Sequence, residues 1–271
     1  NYSMIKKLLR KISILYFFKS IVIPVDKKEN KILKKNILKY LVFCLKNKKN
    51  KTIITSFPSS GWNYFNRVIN EYINIHFKTK NKKYFIAINI LGSTIDISSE
   101  KINFHTHLCF FEIPFFAFGN ISKNKKILIT RNYTTTLYSY FKKYNRNYNF
   151  DQFIRKGKSL ERIVDYYNSW SENIDKIDRF LIIKYEELKD NPMTNYQKII
   201  AFIYNIKSNK KILRTCVDNE NFKKIKNKKK DVFLGQDNYS HLIEKNTMLY
   251  IRHYLKANLT KRAKNTFRYK I

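Results

Sequence analysis

Three short runs of β-branched and apolar residues recur along this chain, and each gives way within a few residues to a segment of helical periodicity. Thr52-Ile53-Ile54-Thr55-Ser56-Phe57 is followed by Pro58-Ser59-Ser60-Gly61 and then by Trp62–Phe77. Lys126-Ile127-Leu128-Ile129-Thr130 leads through Arg131-Asn132 into Thr134–Tyr144, and Phe180-Leu181-Ile182-Ile183-Lys184-Tyr185 precedes Glu186–Asp190 and Met193–Tyr204. Runs that stay apolar at consecutive positions lack the alternation of a half-solvated strand, so they predict strands covered on both sides. Such strands alternating with helices predict an α/β fold, a parallel sheet flanked by helices on both faces, with ligands gathered outside the strand C-terminal ends. No internal repeat is visible.

Composition narrows the function classes. Of 271 residues 44% are hydrophobic and 16% aromatic, enough apolar surface to bury a core and to exclude a disordered chain. Against that stands a formal charge of +35, from 55 Lys and Arg and 20 Asp and Glu. Lys is abundant together with Asn, Ile, Tyr and Phe while Gly and Pro are scarce, the pattern of a gene rich in A and T. The basic residues lie throughout the chain, so the charge reads as composition drift more than as a nucleic-acid footprint, and no specific nucleic-acid partner is expected. Cys44, Cys109 and Cys216 are odd in number and widely spaced, which indicates neither a disulfide framework nor a metal cluster and fits a reducing, cytoplasmic setting.

Residues 1–50 read as a basic N-terminal extension, with the domain running from 51 to 271. Within the extension, residues 5–24 combine a basic start (Lys6, Lys7, Arg10, Lys11) with the apolar stretches Ile12–Phe18 and Ile21–Ile23, broken by Lys19. The apolar run is too short to span a bilayer, and no small-residue cleavage site follows. A surface helix of the fold, or an interfacial helix making peripheral membrane contact, are the two readings.

The loop after the first strand is the first candidate for chemistry. Backbone N–H groups at the start of a helix form an anion site, and Ser59, Ser60 and Gly61 are small enough to let a phosphate approach. The Walker pattern of Gly, four residues and Gly-Lys-Ser/Thr is absent, which disfavours an ordinary ATPase or GTPase loop. Arg131 sits at a second strand end with Ser139 two helical turns on, where a guanidinium and a hydroxyl could grip a further phosphate.

Taken together these elements resemble the sulfotransferase family. Thr55-Ser56-Phe57-Pro58-Ser59-Ser60-Gly61-Trp62-Asn63-Tyr64 is similar to its 5′-phosphosulfate loop, Tyr-Pro-Lys-Ser-Gly-Thr-Thr-Trp. Thr130-Arg131-Asn132 with Ser139 resembles its 3′-phosphate motif. Lys184-Tyr185-Glu186-Glu187-Leu188-Lys189-Asp190-Asn191-Pro192 resembles its Tyr-Glu-Asp-Leu-Lys-x-Asn-Pro segment, and His105-Thr106-His107-Leu108 its Lys-Thr-His-Leu. The resemblance spans about residues 51–240, with the motifs in the family's order.

The resemblance implies a P-loop NTPase-like sulfotransferase fold and 3′-phosphoadenosine-5′-phosphosulfate (PAPS) as donor, with no metal. Ser59, Ser60, Gly61, Trp62 and Asn63 would cradle the 5′-phosphate, and Tyr64, where the family has Trp, would stack on adenine. Arg131 and Ser139 would hold the 3′-phosphate, Tyr185 would lie near the base, and Phe222 would close over it. His107 would be the general base toward a hydroxyl, less readily an amine, of a small-molecule, glycan or lipid acceptor, whose pocket segments 78–104 and 145–170 would shape. Two cations of the family pattern are missing: the loop Lys is Ser59, and the Lys two residues before the catalytic His is His105. Their loss would slow the chemistry unless His105, Arg67 or another basic side chain replaces them. The family's C-terminal Arg-Lys-Gly lid is matched only by Lys228-Lys229-Lys230 and Gly235-Gln236-Asp237. A member that binds the nucleotide without turnover, and a basic nucleic-acid-binding protein, are the alternatives.

Overall fold

The computed structural model describes residues 52–78, 85–88, 103–106, 125–144, 149–156, 158–220 and 243–268. Its central strands are apolar at consecutive positions because each face is roofed by helices. Five parallel strands, β1 (Thr52–Ser56), β2 (Phe85–Ile88), β3 (Asn103–Thr106), β4 (Lys125–Thr130) and β5 (Phe180–Lys184), lie in the order β2-β3-β1-β4-β5. The side chains of β1, β4 and β5 alternate between two cores. Ile53 and Leu128 face α2 (Tyr133–Tyr144), α3 (Phe150–Lys156), α4 (Ser159–Asn173), α8 (Lys245–Asn258) and α9 (Lys261–Phe267). Ile54, Ile127, Ile129 and Ile183 face α1 (Trp62–His76), α5 (Tyr185–Asp190), α6 (Pro192–Tyr204) and α7 (Lys210–Asn219). The two-sided burial expected from the sequence is therefore present in the doubly covered sheet, and each fully buried Ile contributes about 2 kcal/mol of apolar transfer.

The order of the strands locates the site. β1 lies between β3 and β4, with Thr55 opposite Thr106 on one side and Leu128 on the other. From β1 the chain crosses to the β2 and β3 side, then returns past β1 to β4 and β5. Connections leaving β1 and β4 thus diverge, and a crevice opens outside their C-terminal ends.

The two segments read as shaping the acceptor pocket hold regular elements. Residues 78–104, read as acceptor-pocket segments, include β2 and the start of β3. Of 145–170, α4 turns Leu160, Ile163, Val164, Tyr166, Tyr167 and Trp170 into the core. At the far end of β4 from the crevice, Lys126 is fully buried, and burial pushes its ammonium down to about 8 while Asp178 pulls it the other way. The basic N-terminal extension, including residues 5–24, as well as Cys44, Cys109, His107 and Phe222, fall outside the described residues. Among the described residues no helix is long and apolar enough to cross a membrane.

Candidate functional site

The loop between β1 and α1 is held in a conformation most residues avoid. Phe57 is buried, its ring edge-on to Tyr140 and Tyr166, and its carbonyl accepts from the Ser60 N–H at 3.1 Å, closing a turn. Ser59 has φ 66 and Gly61 φ 99, both in the left-handed region. Successive left- and right-handed residues turn their N–H groups toward one concavity, a shape suited to an anion. For Ser59, which carries a Cβ, this conformation costs about 1–2 kcal/mol, so the surroundings must hold it. Gly61 is required twice over: its φ favours glycine, and a Cβ there would fall 2.1 Å from Tyr185 Cδ2. The start of α1 has no side-chain cap and no acidic residue in its first turn, leaving its positive dipole end uncountered by a carboxylate of its own.

Arg131 supplies part of the hold. It follows β4 directly, is 4% exposed, and its Nη1 donates to the Ser59 carbonyl at 3.0 Å. Its Cζ lies 4.6 Å from the centre of the Tyr185 ring, a cation–π contact that fixes the plane of the guanidinium. Tyr167 on α4 brackets the Arg131 main chain, its hydroxyl 3.5 Å from the N and 3.4 Å from the O. Burial raises the Tyr167 phenol well above its ordinary range, so it stays protonated and can donate and accept at once. Ser60 is fully buried with its hydroxyl beside that phenol. One guanidinium therefore ties together the ends of β1, β4 and β5.

The next residue, Asn132, works on the helix that follows. Its Oδ1 accepts from the N–H groups of Thr134 and Thr135 at 3.1 and 3.2 Å, and its own N–H donates to Glu186 Oε1 at 2.9 Å. Two of the N–H groups in the first turn of α2 are thereby satisfied by the Asn132 side chain.

The remaining expected residues are distributed unevenly. Trp62 is half-buried and stacked on Phe65 at 5.7 Å, and Asn63 is exposed. Tyr64 is 6% exposed, edge-on to Tyr185 and Tyr196, and its phenol is pushed up to about 12 by burial and by Glu220. Its ring faces the core here and offers little surface for stacking on a base. Ser139 is half-buried on α2, two turns beyond Arg131. Arg67 does not take the place of the missing loop cation: its Nε pairs with Glu220 Oε2 at 2.6 Å. His105 is placed through its backbone, in β3 between Ile54 and Ala87.

A strand-end crevice with a left-handed loop, an arginine across it and an aromatic floor fits a family match made on sequence. The sulfotransferase domain model matches residues 49–271. The chain belongs to the sulfotransferase family. Membership carries the general reaction class, transfer of a sulfuryl group. The fold of this sulfotransferase domain is similar to mouse sulfotransferase SULT7A1, solved in complex with PAP: TM-score 0.61, 17% identity, 85% of this chain and 94% of that one covered. It is also similar to an Arabidopsis thaliana protein provisionally assigned as a steroid sulphotransferase, with TM-score 0.52, 16% identity and 84% of each chain covered. At these identities the likeness concerns the fold. No curated protein sequence matches the chain.

Tyr167, Asn132 and Glu186 were not singled out from sequence as site residues. Tyr167 lies 36 positions from Arg131 and belongs to a helix that reads as core. Asn132 could have been found as a cap by its residue type and its place directly before a helix.

Proposed function

We propose that this sulfotransferase transfers the sulfuryl group of PAPS to a hydroxyl of a small-molecule, glycan or lipid acceptor, releasing adenosine 3′,5′-bisphosphate (PAP). The observation that carries the reading is the Arg131 guanidinium bound to the Ser59 carbonyl and stacked on Tyr185, at the end of the left-handed loop. In the proposed site the loop amides of Ser59 to Asn63, with Ser60 and Gly61 leaving room for close approach, hold the 5′-phosphate. Arg131 and Ser139 hold the 3′-phosphate. Tyr185, Trp62 and Phe222 supply the apolar surface for the base, with Tyr64 behind Tyr185 as a support. Residues 51–271 form the catalytic domain and residues 1–50 its basic extension, with residues 5–24 as the segment for membrane contact.

His107 is the proposed general base. It directly follows in sequence Thr106, the last residue of β3, which is the partner of Thr55 three positions before Pro58. In the step, the acceptor oxygen forms a bond to sulfur as the bond from sulfur to the 5′-phosphate oxygen breaks, and the acceptor proton passes to the imidazole. A second reading, a member that binds nucleotide without turnover, draws on Ser59, where a loop cation is missing and where Arg67 is occupied by Glu220.

Thermal shift with PAP tests the binding claim. Wild type should be stabilised and Arg131→Ala much less so; no stabilisation of either would contradict the donor assignment. Transfer of labelled sulfate to a panel of phenols, sugars and lipids should vanish in His107→Ala. Transfer that persists would remove His107 as base, and PAP binding with no transfer to any acceptor would favour the second reading.

A further inference from the structure

Tyr185 carries a second cation that the sequence reading passed over. Lys189 follows Tyr185 by one helical turn on α5, and its Nζ lies 6.0 Å from the centre of the same ring that Arg131 Cζ approaches to 4.6 Å. Lys189 is half-buried. We propose that Lys189 is a further ligand of the donor 3′-phosphate, forming with Arg131 a two-cation seat on the Tyr185 ring. This inference rests on the donor reading above.

The charges around the seat support it. Glu186 and Asp190, on the same short helix, both favour the charged ammonium, and an ordinary surface lysine in that company would be held above its usual range. The Lys189 ammonium is instead pushed down, first by burial and then by the Arg131 guanidinium, and these outweigh both carboxylates. Glu186 is partly committed elsewhere, its Oε1 accepting the Asn132 N–H at 2.9 Å. The fold thus brings two like charges together beside one aromatic ring and takes one of them partly out of water. A bound dianion would reverse that repulsion, attracting both cations and accepting charge-assisted hydrogen bonds from each. The guanidinium offers a planar fork and the ammonium a compact point charge, so the two can engage different oxygens of one phosphate. Of the donor's anionic groups, the 5′-phosphosulfate is assigned to the loop amides, which leaves the 3′-phosphate for this seat.

The experiment is calorimetric titration of wild type, Lys189→Met, Lys189→Gln and Lys189→Arg with PAP and with adenosine 5′-phosphate, which lacks the 3′ group. Lys189→Met and Lys189→Gln should bind PAP about tenfold more weakly and adenosine 5′-phosphate within about twofold of wild type, the loss expected of one charge-assisted hydrogen bond. Lys189→Arg should restore PAP affinity to within about threefold, since the charge is kept while the geometry changes. Unliganded melting points report whether each variant is folded, and the Gln variant serves if the Met variant is not. PAP affinity unchanged in Lys189→Met, or an equal loss for both nucleotides, overturns this inference while leaving the donor reading intact. Wild type that binds neither nucleotide overturns the donor reading and this inference with it.

Discussion

The loops after β1 and β4 are the same event in the topology, a central parallel strand ending and a helix beginning, yet they are built from opposite materials. After β1 the conformation is in the main chain: Ser59 and Gly61 are left-handed, and α1 starts without a side-chain cap. After β4 the helix start is closed by its own side chain, because Asn132 takes the Thr134 and Thr135 N–H groups. A helix start already satisfied has little to offer an anion. Any charge at the second loop must therefore come from a side chain, and Arg131 is positioned to supply it. On the proposed donor reading, the difference teaches that this crevice divides its work, with backbone donors at one strand end and guanidinium chemistry at the neighbouring one. Arg131 Nη1 on the Ser59 carbonyl joins the two halves.

The largest expected effect falls on the backbone half. Gly61→Ala places a Cβ against the Tyr185 ring at a left-handed φ, and equilibrium urea unfolding should show a loss of about 3 kcal/mol, from the conformational cost and the overpacking together. A loss near zero would mean that Tyr185 does not press on the loop, and the contrast between the halves would fail. Next comes the cap on the other side. Asn132→Ala should cost about 1 kcal/mol in the same assay, the usual value of a helix N-cap, with little change in nucleotide affinity. A large drop in affinity would show that the N–H groups at the start of α2 contribute to the anion site after all. Smallest is Ser59→Gly, where relief of the left-handed strain is partly offset by the greater freedom of glycine in the unfolded chain. A gain of about 0.5 kcal/mol is expected, with nucleotide binding retained because Arg131 holds the main-chain oxygen of residue 59. Loss of binding in that variant would assign a role to the Ser59 hydroxyl.

Much of the sheet was legible in the sequence because burial on both faces leaves a run with no polar interruption. The first, fourth and fifth strands were placed to within one residue at each end. β2 and β3 were missed for a physical reason. Each is four residues long, and Asn103-Phe104-His105-Thr106 has neither a continuous apolar run nor a β-branched core. The strand-end placement of the Pro-Ser-Ser-Gly turn and of the Arg after β4 was legible because local chemistry decides it. The site was not legible where distant residues meet. Nothing near Arg131 in sequence reveals Tyr167, and Lys189 gains its meaning from sharing a ring with Arg131 across two strand ends. Tyr64 shows the converse: the motif position suited a ring stacked on a base, while Tyr185 and Tyr196 pack against it and turn it to the core.

The division of labour is tested most directly by the ratio of the affinities for PAP and adenosine 5′-phosphate, measured by calorimetry in wild type and Arg131→Ala. Removing Arg131 also releases the Ser59 carbonyl, so some loss for both nucleotides is expected, and the ratio isolates the 3′-phosphate. The account predicts that wild type prefers PAP by about a hundredfold, the worth of two charge-assisted hydrogen bonds, and that the preference falls to about tenfold or less in Arg131→Ala. A preference that stays the same in the variant would contradict it.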